Sequence, residues 1–168
     1  AATLGNQSKT FIDCGFNIFD ETDTNLENND QTIESVKQNN GFTFKNSEAT
    51  SSQLHTYKAY LERVVDGDTI RVILDLGFKI QHREILRLAQ INAPEKGTLA
   101  GEKSTKALEE VLKDVPFLII KTNKTDIYGR YVADIFLGKK DELDAQKVAD
   151  EGIYLSQKLL DLEVVEKF

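Results

Sequence analysis

The sequence contains no methionine or tryptophan, only one cysteine, Cys14, and only two histidines, His55 and His82. A single cysteine excludes an intramolecular disulfide framework and any all-thiolate zinc site. The two histidines have neither helical nor cysteine-flanked spacing, which argues against a histidine-based metal site, and we expect both at the surface. The fold must therefore be held together by an apolar core.

Long apolar runs and a recognisable targeting signal are also lacking. No run approaches the ~18 apolar residues that cross a bilayer, and the first residues lack the basic start and apolar core of a signal peptide. Because position 1 is not methionine, we expect a processed form or part of a longer product. The compartment, secreted or cytoplasmic, is left open. The 168 residues, 40% apolar and 29% charged, predict a soluble globular protein with one main domain.

The acidic residues are distributed unevenly along the chain. The net charge is −7, of which residues 1–55 carry −5, from three lysines and eight acidic residues. Residues 56–168 carry 18 basic and 20 acidic residues, a net charge of only −2. This difference predicts an acidic N-terminal extension over 1–55 and a separate domain over 56–168.

The extension has weak β-strand signals between polar stretches. Alternation from Ile12 to Ile18 predicts a half-buried strand, and Asn40-Gly41 followed by Phe42 and Phe44 predicts a hairpin with a type I′ turn. Polar stretches at 28–30 and 49–52 predict loops or linkers. The extension is therefore either a small β-rich unit or a mostly flexible segment.

The remaining sequence has a clear order of strands and helices. Alternating apolar residues predict strands at 57–61, at 70–76 and over the run 79–92, which ends at Pro94. Apolar spacing predicts a helix over about 100–114, followed by two strands at 117–120 and 131–137 joined by a polar turn at 122–129. Two further helices are expected, one capped by Asp141 and closed by Gly152, and one over 155–162. Five strands with a helix after the third predict an α+β fold with an OB-type barrel and about three helices.

Three short motifs in this domain carry residues suited to chemistry on phosphate. Asp66-Gly67-Asp68-Thr69 is an acidic turn that offers oxygen ligands to a hard cation, although Asp-Gly is common in ordinary turns. Arg87 lies in an otherwise apolar strand, where an unpaired charge is costly. It requires a carboxylate partner, for which Glu95 is a candidate, or a position facing a cleft.

The third motif, residues 125–131, brings Tyr128 and Arg130 to the start of a strand. Guanidinium groups match phosphate oxygens in one plane. Two arginines, a carboxylate beside the rigid Ala93-Pro94 corner and an acidic turn are together what metal-assisted phosphodiester hydrolysis requires.

With these three motifs in this order, residues 57–162 resemble the staphylococcal nuclease (thermonuclease) family. The resemblance implies that Asp68 is a Ca²⁺ ligand, that Arg87 and Arg130 bind and polarise the scissile phosphate, and that Glu95 is the general base. It places Asn92 where the family has a second calcium carboxylate and Ala93 where a backbone carbonyl contributes. We therefore predict weaker calcium binding than at a two-carboxylate site.

The tyrosine of the family's motif is retained as Tyr128, which with Lys124 is a candidate substrate-binding residue, but other features near the substrate differ. Ile127 stands where the family has a basic residue, and the loop after Glu95 is short. The last helix offers no obvious pair of base-stacking tyrosines. A rim of basic residues is expected to contact nucleic acid; it comprises Lys103, Lys106, Lys121, Lys124, Arg71 and Arg83.

The leading hypothesis is a calcium-dependent nuclease that cleaves DNA or RNA with little sequence selectivity, acts as a monomer and has no membrane partner. The net charge of −7 opposes tight binding of a polyanion, so binding should be weak and sensitive to salt. The alternative is a catalytically weak or inactive OB-fold module that binds single-stranded nucleic acid or a protein partner. A third hypothesis is that the acidic extension covers the basic rim and regulates access to it.

Overall fold

The computed structural model describes residues 2–3, 8–22, 32–50 and 53–168. The chain divides into two compact units. The first contains the residues up to Leu54 together with Leu76–Phe78, and the second contains 55–75 and 79–168. The loop predicted at 28–30 and the part of the predicted linker at 51–52 lie outside the described residues.

The N-terminal unit is β-rich. It comprises β1 (Ala2–Thr3), β2 (Ser8–Asp13), β3 (Phe19–Thr22), β4 (Ile33–Gln38) and β5 (Gly41–Asn46). The first three form an antiparallel sheet, and the last two form a hairpin. The strand predicted over 12–18 is wrong beyond Asp13, because Gly15, Phe16 and Asn17 all have positive φ and turn the chain into β3.

The hairpin predicted at Asn40-Gly41 is confirmed, with its turn one residue earlier than expected. Gln38 pairs with Gly41, so Asn39 and Asn40 form the connection. Neither of these two connecting residues has the positive φ that a type I′ turn requires at both positions, so the turn is not type I′. Within this unit the rings of Phe42 and Phe44 lie 5.4 and 5.7 Å from that of Phe78.

The second unit contains a closed five-stranded barrel with three helices among the described residues, an α+β fold of the OB type as predicted. Its elements are β6 (Thr56–Asp66), β7 (Thr69–Asp75), β8 (Gln81–Leu88), β9 (Ile91–Asn92), α1 (Leu99–Leu112), β10 (Leu118–Thr125), β11 (Tyr131–Leu137), α2 (Ala145–Glu151), β12 (Ile153–Tyr154), α3 (Leu155–Asp161) and β13 (Glu166–Lys167).

The barrel closes because β10 pairs with both β6 and β11, while β11 also runs parallel to β8. Alternate residues of the strands point inward and form the core. Fully buried examples are Ala59, Ile70, Val72, Leu74, Leu86, Leu88, Ile120 and Ala133. The apolar residues that alternate along the sequence of each strand therefore face the inside of the barrel, and the residues between them face outward.

Two predictions about the strands need correction. The run 79–92 is two strands, because Gln90 adopts a φ of 65° and separates β8 from β9. The polar turn predicted at 122–129 starts later than expected, after Thr125, and β11 begins at Tyr131. Strand β10 continues to Thr125 because its polar side chains face outward while its backbone still pairs with β11.

The helices agree with the predictions except at their ends. Helix α1 ends at Leu112, before Asp114, whose φ is 61°. Helix α2 is capped by Asp144 rather than Asp141, because Asp144 Oδ1 accepts the N–H groups of Gln146 and Lys147. No helix in the described part of the chain combines the length and apolarity needed to cross a bilayer.

Candidate functional site

The acidic turn between β6 and β7 fixes the Asp68 carboxylate in place. Asp66 Oδ1 accepts the Asp68 N–H at 3.1 Å, which closes the turn. Asp68 Oδ1 accepts the Thr69 hydroxyl at 2.9 Å, and its Oδ2 accepts the Ala93 N–H at 2.8 Å. The carboxylate thus joins the turn to the corner that follows β9, 25 residues along the chain.

The Arg87 guanidinium is held at the same place. Its Nη1 donates to the carbonyls of Leu88 at 3.1 Å and Ile91 at 2.9 Å. Its Nη2 donates to Asn92 Oδ1 and lies 3.5 Å from Asp68 Oδ2. The side chains of Arg87 and Asp68 are only 15% and 13% exposed, so the partner of the buried arginine is Asp68. An Arg87–Glu95 ion pair, the other possibility raised by the sequence, is not found among the described residues.

The corner at Pro94-Glu95 has a rigid backbone and an exposed carboxylate. The Glu95 carbonyl accepts the N–H of Thr98 at 3.2 Å and its hydroxyl at 2.7 Å. Thr98 Oγ1 in turn accepts the N–H of Gly101 and caps helix α1. The Glu95 side chain itself is exposed to solvent.

Helix α1 packs directly on both loops through its smallest residues. A Cβ on Gly101 would overlap the Glu95 carbonyl, and a Cβ on Gly67 would overlap Ser104 Oγ and lie 2.7 Å from Ala93 Cβ. Ser104 is fully buried, and within the described residues its hydroxyl has no hydrogen-bond partner. The acidic turn and the corner are thus both packed against helix α1.

Arg130 belongs to a second, self-contained cluster in the turn before β11. Its Nε donates to Asp126 Oδ2 at 2.8 Å, and Asp126 Oδ1 accepts the N–H groups of Arg130 and Tyr128 at 2.9 Å each. Burial acts to raise the pKa of Asp126, but these hydrogen bonds and the guanidinium outweigh it and leave the pKa below its ordinary value. The Arg130 Cζ lies 5.4 Å from the centre of the Tyr128 ring, which is 77% exposed.

The two arginine clusters lie on neighbouring strands without direct contact. Val132 on β11 is the register partner of both Arg87 on β8 and Lys124 on β10, and Arg130 precedes Val132 by two residues. No hydrogen bond or ion pair within the described ranges joins Arg130 to Asp68, Arg87 or Asn92. Of the residues named from the sequence, the fold brings Asp68, Arg87, Asn92 and Ala93 into contact. Tyr128 and Arg130 form the separate cluster at Asp126, and no contact joins Lys124 or the Glu95 side chain to either cluster among the described residues.

The oxygen atoms at this site match the donor type that Ca²⁺ requires but offer little charge. The available donors are the Asp68 carboxylate, the Asn92 side-chain oxygen and the Ala93 carbonyl, whereas Ca²⁺ takes six to eight oxygens. The described residues contain no group of three or more acidic, histidine or cysteine side chains able to hold a metal. The Arg87 guanidinium already contacts both side-chain oxygens. These residues supply at most three of the oxygens that Ca²⁺ takes, with a single carboxylate among them.

Comparison with known protein families and with curated proteins found no match. The resemblance to the thermonuclease family therefore stays a prediction from the three sequence motifs.

One residue at the site was missed by sequence reasoning. Strand β13 pairs with β9, with Glu166 opposite Asn92, and the N–H of Phe168 donates to the Gln90 carbonyl. The Phe168 ring centre lies 5.7 Å from the Arg87 Cζ. The only signal was a lone aromatic residue after the apolar pair Val164-Val165, a pattern too common to identify a site.

Proposed function

We propose that this chain is a calcium-assisted phosphodiesterase that hydrolyses DNA or RNA with little sequence specificity. The observation that carries the proposal is the fixed Arg87 guanidinium, which two backbone carbonyls hold beside Asp68 and Asn92. An arginine held in this way keeps its positive charge at a fixed position, where it can stabilise the charge of a bound phosphate.

Each neighbouring residue has a role in this reaction. Arg87 and Arg130 bind the non-bridging phosphate oxygens and stabilise the negative charge that grows in the transition state. The exposed Glu95 carboxylate accepts a proton from the attacking water. Tyr128 and Lys124 contact the substrate strand next to the scissile phosphate.

Calcium is the metal we propose for this site. When bound, it supplies positive charge next to a phosphate oxygen, and Asp68, Asn92 and Ala93 would hold it. In the described structure the oxygens of Asp68 and Asn92 accept the Arg87 guanidinium instead. A cation would compete with the arginine for these atoms, which supports weak binding.

The test is hydrolysis of single-stranded DNA and RNA over a calcium titration into the millimolar range, with chelator as the blank. We expect calcium-dependent cleavage that Glu95→Gln reduces by at least ~100-fold. Glu109→Gln is the matched control, because Glu109 is an exposed glutamate on α1 away from the corner. Equal cleavage by both variants, or cleavage unaffected by chelator, would contradict the proposed roles.

A second candidate function is a binding module without turnover. It is favoured by one observation, the single carboxylate among the proposed calcium ligands. No cleavage at saturating calcium, together with retained binding of single strands, would support this alternative.

A further inference from the structure

The Arg87 guanidinium uses most of its hydrogen-bonding edge within the protein. Its Nη1 donates to the carbonyls of Leu88 and Ile91, and its Nη2 donates to Asn92 Oδ1 and lies 3.5 Å from Asp68 Oδ2. A guanidinium has N–H groups on three nitrogens, and within the described residues only Nε makes no hydrogen bond. The Nε–H group is therefore the donor that remains for a phosphate oxygen.

The flat side of the same guanidinium is next to an aromatic ring. The Arg87 Cζ lies over the Phe168 ring, 5.7 Å from its centre, which is within the ~6 Å range of a cation–π contact. The Phe168 side chain is 80% exposed, so the ring adds little to the apolar core. Its closest relation in the described structure is to Arg87 rather than to the core.

The backbone of Phe168 is tied to the strand that holds Arg87. Its N–H donates to the Gln90 carbonyl at 2.9 Å. Strand β13 pairs with β9, with Glu166 opposite Asn92 and Lys167 opposite Ile91. Two acceptors of the Arg87 guanidinium, on Ile91 and Asn92, thus belong to the strand that β13 pairs with. The two charges of β13 are opposite in sign and give this segment no net charge.

Attachment of β13 to the barrel does not require the ring. Val164 and Val165, which precede the strand, are 9% and 8% exposed and are part of the core. The pairing with β9 and the hydrogen bond to Gln90 use backbone atoms only. A side chain of similar size at position 168 would leave all of these contacts in place, so the contribution of the ring can be tested separately from that of the strand.

We propose that Phe168 is a positioning residue for Arg87, whose ring keeps the guanidinium plane in one orientation and its Nε–H directed at a bound phosphate. Hydrogen bonds along its edge fix a guanidinium in position, and an aromatic ring that stacks on its face resists rotation out of the plane. The proposal rests on the proposed function for the phosphate, whereas the contact between ring and guanidinium does not depend on it.

The first test is NMR on the full, isotope-labelled chain without substrate or calcium. The Nε–H signal of Arg87 is assigned by its loss in Arg87→Lys. Phe168→Leu should shift this signal and speed its hydrogen exchange with water about two- to fivefold, because the ring no longer holds and shields the guanidinium. Phe168→Tyr keeps the aromatic face and should leave both quantities unchanged. Phe19→Leu is the matched control, because Phe19 is a phenylalanine of β3 that is 58% exposed.

The second test is hydrolysis of single-stranded DNA at saturating calcium. Phe168→Leu should lower kcat about two- to fivefold with KM nearly unchanged, because the proposed contact of Arg87 strengthens in the transition state. Phe168→Tyr should restore the wild-type kcat. In an Arg87→Lys background Phe168→Leu should have no further effect, because Phe168 acts through the guanidinium. Circular dichroism melting confirms that each variant is folded.

An Arg87 signal that Phe168→Leu leaves unchanged, or that Phe168→Tyr and Phe19→Leu change as strongly, would overturn the proposal. So would an equal loss of kcat from Phe168→Leu in the wild-type and Arg87→Lys backgrounds. Hydrolysis by the unaltered chain together with full kcat in Phe168→Leu removes the positioning role alone. The expected NMR changes together with no hydrolysis at saturating calcium remove the proposed function alone, and the ring still orients Arg87.

Discussion

Arg87 and Arg130 are held in opposite ways, although both are proposed to bind the same phosphate. Arg87 is fixed by the acidic turn, by the corner and by two backbone carbonyls, and it is largely buried. Arg130 is fixed by Asp126, four residues earlier in the same turn, and it is more exposed. We therefore expect the first arginine to contribute both to stability and to the proposed chemistry, and the second to contribute to the proposed chemistry with little effect on stability.

The largest effect is expected for Arg87→Gln. Loss of the guanidinium leaves Asp68 and two carbonyls without their donor, so the free energy of unfolding should fall by about 2–3 kcal/mol. Hydrolysis should fall by about 10³-fold. Urea denaturation followed by circular dichroism and initial rates with single-stranded DNA measure the two losses. A stable but inactive variant would contradict the structural part of this interpretation.

The contrasting variant is Arg130→Gln. A salt bridge within one exposed turn contributes about 0–1 kcal/mol, so the unfolding free energy should change little. Hydrolysis should still fall by about 100-fold, because a charge that contacts the transition state is lost. The same two assays apply. If Arg130→Gln destabilises the protein as much as Arg87→Gln does, the distinction between the two clusters fails.

A smaller effect is expected for Asn92→Asp, which adds a carboxylate beside Arg87. Calcium affinity follows the charge of the ligand set, so the dissociation constant from calorimetry should fall about tenfold. Asn40→Asp, in the hairpin turn of the N-terminal unit, is the control for added charge alone. Equal affinities of the two variants would remove Asn92 from the ligand set.

The smallest effect concerns the pH dependence of the Arg130 cluster. The pKa of Asp126 is lowered in the folded protein by hydrogen bonds that outweigh its burial. The ionised carboxylate therefore stabilises the fold above its unfolded pKa of about 4, and this contribution is lost as pH falls through the lower folded value. The melting temperature of wild type minus that of Asp126→Asn should be constant from about pH 5 to 8 and shrink below about pH 4. A difference that persists at pH 2 would contradict this assignment.

The barrel could be predicted from the sequence because its strands alternate regularly between buried and exposed positions. The core residues from Ile70 to Leu74 are one example, and the helix ends set by Thr98 and Gly152 depend on local signals of the same kind. The residues of the corner site were likewise recognisable from their motifs. At these positions the residues close in sequence were sufficient to predict the local structure.

The partners of these residues were not predictable because they come from distant segments. The Asp68 contacts with Ala93 and Arg87 require the turn, β8 and the corner to meet, and the Phe168 contact requires β13 to pair with β9. The strand break at Gln90 depends on a positive φ at a residue that does not demand one. These features are consequences of tertiary packing rather than of any short pattern.

The close packing of helix α1 couples the two loops mechanically. Gly101 lies on the corner and Ser104 lies on the turn at Gly67, one helical turn apart and with no space for an added methyl group at either glycine. A displacement of the helix would therefore carry Asp68 and Glu95 together and preserve their separation. Local unfolding of α1 would instead release Asp68 and Glu95, the proposed metal ligand and general base, in one step. The helix thus fixes the separation of the two residues on which the proposed reaction depends.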